Sequence, residues 1–182
     1  EDGSFLFASR SAEGAPGPLN VKRIVNEPER RVTVEWFTRN LRALSTEEDP
    51  SDDYDPRNRP WYMEALAADA TVWTKPYIFF TSQAPGITVA APVHNSLGSA
   101  RIGAVGVDIK ITELSAFLEA LDFSPRGQAA IVGKEGDILA HSLPEISSGQ
   151  DFRQLDDGSD PILDEAVAQI SGGLDTLFPG EI

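Results

Sequence analysis

The chain has 182 residues, 41% of them hydrophobic, which suits one ordinary domain or two small ones with a real core and excludes general disorder. Fifteen basic residues against 29 acidic ones leave a net charge of −14, which repels phosphate backbones and anionic lipid and so argues against nucleic-acid or peripheral-membrane partners. Cysteine is absent, so there is no disulfide framework, thiol nucleophile or thiolate metal site.

Taken in chain order, Ser4–Arg10, Asn20–Val25 and Arg31–Arg39 read as strands, the third alternating Val32, Val34 and Trp36 with polar partners at a period of two. "EGAPGP" and "NEP" punctuate them as turns. Ser45–Asp53, "STEEDPSDD", has no periodicity and is expected as an acidic loop. It leads into "YDPRNRPWY", Tyr54–Tyr62, where Pro60 suits the first turn of a helix capped near Asn58 or Arg59 and continuing through "PWYMEALAADA". Strands follow in "PYIFFTS" and in the longer, largely apolar Gly86–His94 and Ala100–Ile111, with "NSLGS" as a hairpin turn between the last two. Thr112 is expected to cap a helix whose stripe of Leu114, Phe117, Leu118 and Leu121 lies on the sheet. "DFSPRG" then marks a boundary. Beyond it come a hairpin over "QAAIVGKEGDILAHS" with Gly136 in the turn, and a second helix from Asp160 and Pro161 to the stop at Gly172-Gly173. Two strands and a helix make a poor independent core. The expected organisation is therefore an α+β chain in two modules: residues 1–122 around an antiparallel sheet flanked by helices, and residues 123–182 as part of a second, incomplete one.

The nine residues of "YDPRNRPWY" concentrate three rings and two guanidinium groups. An arginine fork grips a carboxylate bidentately, and tyrosine and tryptophan add hydrogen-bonding tips on flat apolar walls. Such a set suits a small zwitterion whose carboxylate meets Arg59, Tyr54 and Trp61. Its ammonium would need acceptors of the kind offered by Tyr62, Tyr77 and Asp108, the last expected as a partly buried carboxylate within "GAVGVDIKI". Plainer roles stay open at this point: Arg59 pairing with Asp55 or Asp53, Trp61 and Tyr62 as core anchors, Asp108 as a cap.

"YDPRNRPWY", "KPY", "ITVAAPV", "IGAVGVDIKITEL" and "GQAAIVGKEGDILAHS", in that order over about residues 50–142, resemble the double Cache family of extracytoplasmic sensor domains. The resemblance implies PAS-like modules, a free amino acid as ligand, and no enzymatic activity or cofactor. It implies that Tyr54, Arg59 and Trp61 take the ligand's carboxylate, and that Tyr62, Tyr77 and Asp108 take its amino group. It implies as well the membrane-distal sensing module of a bacterial transmembrane receptor, a chemoreceptor, histidine kinase or cyclic-nucleotide signalling protein, periplasmic in location and homodimeric as a whole. The longest apolar runs, such as Ile87 to Val93, are too short to cross a bilayer and no signal-peptide pattern opens the chain, so any span is expected outside this sequence. Alternatives are a Cache module for an amine or a carboxylate, or an unrelated α+β hydrolase or interaction module. Arg59 discriminates against a pure amine ligand. The remaining signals are weak: "EEDPSDD" lacks the glycine and spacing of a calcium loop, His94 and His141 are too few for a zinc site, and "GKEGD" is no phosphate loop.

Overall fold

A computed structural model of the protein describes residues 2–98, 100–121, 127–133 and 138–143. These fall into two compact units, one made of residues 2–70 with 91–105, the other of residues 71–90 with the described residues from 106 onward.

The first unit is built on an antiparallel meander of β1 (Phe5–Arg10), β2 (Leu19–Val25), β3 (Arg31–Phe37) and β4 (Ala43–Glu48) in sequence order. Its register places Phe5, Ile24 and Val32 side by side, and next to them Phe7, Lys22 and Val34. Residues opposite one another share a face, so the period of two in β3 becomes a buried face through Ile24 and Val32 while Leu6 points out at 60% exposure. The acidic run was expected as loop, yet Ser45–Glu48 belongs to β4 and pairs with β3 from Trp36 to Thr33. A ladder needs backbone groups rather than apolar side chains, and a charged edge strand discourages pairing with other chains. The loop shrinks to Asp49–Asp53, where Asp49 accepts from the Ser51 N–H and hydroxyl at 3.2 and 2.6 Å. The Ser51 hydroxyl bond holds the Asp49 carboxyl below its usual value.

Past this loop Asp55 caps a 3-10 turn over Pro56–Asn58. Helix α1 (Pro60–Ala68) begins as expected, with proline in its first turn and Arg59 as the extended cap residue, and it ends where Asp69 adopts φ +50°. Its buried residues are Trp61, Tyr62 and Ala65.

The second unit holds β5 (Val72–Trp73), β6 (Tyr77–Ile78), α2 (Ile111–Glu119), β9 (Ala130–Val132) and β10 (Ile138–His141), with Pro85–Ala90 of the long strand β7 (Pro85–His94) and Gly106–Lys110 of β8 (Arg101–Lys110). Ala91–His94 and Arg101–Val105 of these strands fall in the first unit. Both β5 and β6 pair antiparallel with β7, which also pairs with β8, while β9 and β10 form a separate antiparallel pair. The mixed α+β class with antiparallel sheets agrees with the expected PAS-like arrangement.

Two expectations for α2 need correction. The helix starts at Ile111 behind Lys110, which makes no side-chain cap, so Thr112 already lies inside the first turn. Its apolar stripe is only partly covered: Ile111 and Leu118 are buried, whereas Phe117 is 59% and Leu121 39% exposed. Ile111 and Leu118 lie two turns apart on one narrow line, which is what a helix lying against the short strand β10 can cover. All but Gly127 of the expected boundary at residues 122–127, together with the Gly136 turn and the helix at Asp160–Gly173, lie outside the described residues.

Candidate functional site

Four of the six candidate residues, Tyr54, Arg59, Trp61 and Tyr62, belong to the first unit, and Tyr77 and Asp108 to the second. In the first unit the loop before α1 brings Tyr54, and the first turn of α1 brings Trp61, to Phe5 of β1. The Phe5 ring lies tilted at 4.9 Å from the Tyr54 ring and 6.3 Å from Trp61, and the Trp61 indole N–H donates to Tyr54 Oη at 3.3 Å. Tyr62 meets Trp61 edge-on at 5.5 Å. All three rings are at least 91% buried, so they serve as core anchors whatever else they do. Arg59 is half-buried at the junction of the 3-10 turn and α1, and its carbonyl accepts from the N–H groups of Tyr62 and Met63 at 3.2 and 3.1 Å.

Asp55, offered as one structural partner for Arg59, is gripped by Arg57. The Arg57 guanidinium places Nε 3.0 Å from Oδ1 and an Nη 2.7 Å from Oδ2, and its backbone N–H adds a third bond at 2.9 Å. That fork lowers the Asp55 carboxyl below its usual value and raises Arg57.

Beneath Tyr54 lies a pair that the sequence pattern does not reveal. Lys22, 5% exposed on β2, reaches the Asp52 carboxylate, and its ammonium sits 5.1 Å from the centre of the Tyr54 ring. Asp52 also accepts from the Tyr54 N–H at 2.9 Å, and Arg30 donates to the Tyr54 carbonyl at 2.9 Å. Asp52 takes the Tyr54 N–H and Arg30 reaches its carbonyl, so the tyrosine's backbone is held from both sides, while Lys22 anchors Asp52.

In the second unit, β5 and β6 are two pieces of one strand line along β7. Val72 and Trp73 pair with Ala90 and Val89, and Tyr77 and Ile78 with Gly86 and Pro85. From Trp73 to Tyr77 the chain advances 4 residues (77 − 73) while β7 advances only 3 (89 − 86), so one extra residue is bulged out around Thr74–Pro76. An extra residue reverses the faces of everything after it. Tyr77 therefore shares a face with Gly86 and Thr88 instead of with Pro85 and Ile87.

On that face Tyr77 Oη lies 2.7 Å from Thr88 Oγ1, and Thr88 Oγ1 donates to Asp108 Oδ1 at 2.6 Å. Tyr77 and Asp108, 31 positions apart (108 − 77), are thus joined through one hydroxyl. Asp108 was expected to be partly buried and is exposed, as are Val105 and Val107 on the same strand. Phe79 fills the space over Gly86 and meets Tyr77 edge-on at 5.2 Å, giving the polar chain an apolar flank. Thr88 was missed because a β-branched residue inside "GITVAAPV" reads as strand filler. The only trace was a hydroxyl in an apolar run.

The two histidines stand apart. His94 is exposed against Asp69 at 3.1 Å, and His141 is buried with Nδ1 accepting from the Leu143 N–H at 2.9 Å. Among the described residues no three metal-ligating side chains gather, and no helix is long and apolar enough to cross a membrane.

Comparison with known proteins bears on the whole arrangement. Methyl-accepting chemotaxis protein PscA of Pseudomonas syringae pv. tomato is 34% identical over 127 residues, 60% of this chain and 19% of PscA. Methyl-accepting chemotaxis protein PctB of Pseudomonas aeruginosa is 37% identical over 89 residues, 49% of this chain and 14% of PctB. The chain thus spans less than a fifth of the length of these curated relatives. Among solved structures, the ligand-binding domain of the P. aeruginosa amino acid chemoreceptor PctB in complex with L-Arg aligns at 32% identity and a TM-score of 0.47, over 62% of this chain and 44% of that one. Residues 24–116 match the family described as methyl-accepting chemotaxis protein-like, first PDC sensor domain, and this span includes all six candidate residues. The chain belongs to that family of chemoreceptor sensor domains.

Proposed function

We propose that this sensor domain binds a free amino acid as the extracytoplasmic input of a membrane-anchored, dimeric chemoreceptor, without catalysing a reaction. The observation that carries the reading is the Tyr77–Thr88–Asp108 chain, a carboxylate and two hydroxyls joined across three neighbouring strands beside an aromatic flank. A carboxylate backed by hydroxyls is the acceptor set a primary ammonium requires. Tyr77 and Asp108, with Tyr62, are assigned to the amino group. Arg59, with Tyr54 and Trp61, is assigned to the carboxylate on the strength of the motif spacing and the half-buried place of Arg59. Support also comes from PctB, a sequence relative whose ligand-binding domain has been solved with L-Arg and with L-Gln. The signal would leave as a shift between two arrangements of the receptor, limited by the ligand's differential affinity for them.

A thermal-shift panel of the twenty protein L-amino acids, with ethylamine and propanoate as controls, tests this. A ligand at about a hundred times its dissociation constant adds roughly 2.7 kcal/mol to stability, a visible rise in Tm. Titration calorimetry of Arg59→Ala with the amino acids that stabilise the wild type is expected to show affinity weaker by roughly tenfold to a few hundredfold, with folding retained. Stabilisation by ethylamine or propanoate alone, or equal affinities in the variant, would overturn the amino-acid reading.

A further inference from the structure

Thr88 occupies none of the six motif positions, yet it sits between the polar ends of two of them. Its Oγ1 is 2.7 Å from Tyr77 Oη and 2.6 Å from Asp108 Oδ1, and the residue is 1% exposed. Its backbone is clamped by Thr74, whose hydroxyl accepts the Thr88 N–H at 2.9 Å and whose own N–H donates to the Thr88 carbonyl at 3.0 Å. Branching at Cβ restricts the rotamer, so the hydroxyl is held where the strand puts it.

A threonine hydroxyl has one proton, and an ionised carboxylate has none to give. Thr88 therefore donates to Asp108, and Tyr77 must donate its own proton to Thr88. Both proton directions follow from the charge at one end. Any further partner of Tyr77 Oη or of the Asp108 carboxylate has to be a donor, because each offers it only lone pairs. We propose that Thr88 is a positioning residue that polarises this face into acceptors only, and so makes it selective for a primary ammonium over an acceptor group of similar size. The inference rests on the amino-acid reading above and adds to it the residue that sets the discrimination.

Two arms test it. Neutron diffraction from crystals of the ligand-free protein is expected to find a deuteron on Tyr77 Oη pointing to Thr88 and one on Thr88 pointing to Asp108. A Thr88 deuteron directed at Tyr77 overturns the polarity. In the binding arm, each L-amino acid that stabilises the wild type is compared with its deamino acid, as L-alanine with propanoate. Thr88→Val keeps the shape and loses both bonds, and is expected to weaken amino-acid binding by roughly tenfold to a hundredfold. The preference over the deamino acid should shrink in step, while Thr88→Ser, which keeps the hydroxyl, restores both. A purely structural Thr88 would weaken the two ligands alike, and that result overturns the proposal, as does unchanged affinity. If Thr88→Val does not fold, Thr88→Ala removes the same hydroxyl with less bulk at the site, and the same shrinkage is expected there. Wild type stabilised by none of the twenty amino acids would overturn the amino-acid reading and the ligand role of Thr88 together. Binding by wild type with Thr88→Val unchanged would remove Thr88 alone.

Discussion

At the scale of single residues, the buried charges are what the sequence conceals. Lys22 in "NVKRIV" reads as one polar partner among several in a strand, and only the register with Phe7 and Val34 turns it inward. Once inside, its ammonium needs a counter-charge, and Asp52, whose side chain is 10% exposed, supplies it. Removing one member of such a pair strands the other, which typically costs about 3–5 kcal/mol, while replacing both can be nearly neutral. Lys22→Met is accordingly expected to cost about 3 kcal/mol, and adding Asp52→Asn, which keeps the acceptor for the Tyr54 N–H, to recover more than half of it. Urea denaturation of the two single variants and the double measures this, and simple additivity would show that the two charges do not depend on each other. The aromatic residues were easier to read, because "YDPRNRPWY" announces both rings and guanidinium groups. What it could not distinguish is which arginine holds Asp55, since Arg57 and Arg59 are both within reach in sequence; the cap geometry of the 3-10 turn decides for Arg57.

At the scale of elements, strands with a clear alternation were legible and short or irregular ones were not. "PYIFFTS" has strand composition throughout, but only Tyr77–Ile78 pair, because the chain then turns, with the Phe79 carbonyl accepting from the Gln83 N–H and the Phe79 N–H donating to Ala84. The bulge before it leaves no compositional signature beyond Pro76, yet it brings Tyr77 to the face of Thr88 and Asp108. Close approach at Gly86 holds this arrangement. A Cβ there would lie 2.1 Å from Phe79 Cζ and 2.7 Å from the Ile109 carbonyl oxygen, so neither ring nor backbone leaves room for a methyl group. Gly86→Ala is expected to destabilise by about 2 kcal/mol through overpacking. Combined with Phe79→Leu, the loss should be smaller than the sum of the two single losses, since removing the ring relieves half of the conflict. Chemical denaturation of the three variants checks it, and a sum without coupling would mean that the Ile109 carbonyl alone sets the cost. The stripe on α2 illustrates the converse error: a periodic pattern shows which face is apolar, but the width that is covered depends on the partner, here β10.

At the scale of the whole chain, composition speaks to ligand class more than to fold. A net charge of −14 creates a field that attracts any small cation, repels any small anion and exerts almost no net pull on a zwitterion. Salt therefore separates the amino-acid reading from its amine rival without any mutation. Raising ionic strength from about 0.01 M to about 1 M shortens the Debye length from roughly 30 Å to roughly 3 Å, which removes the long-range attraction and leaves contacts within hydrogen-bond distance mostly intact. An amine held by Asp108 and drawn in by the remaining acidic residues should lose about tenfold or more in affinity over that range, because several weak terms of a few tenths of a kcal/mol each are screened together. An amino acid clamped at both ends should change by less than about threefold, its carboxylate being repelled as much as its ammonium is attracted. Titration calorimetry at the two salt concentrations, with L-alanine and ethylamine measured side by side, gives the comparison. An amino acid whose affinity falls as steeply as that of ethylamine would mean that only its ammonium is recognised, and Arg59 would then have no part in binding.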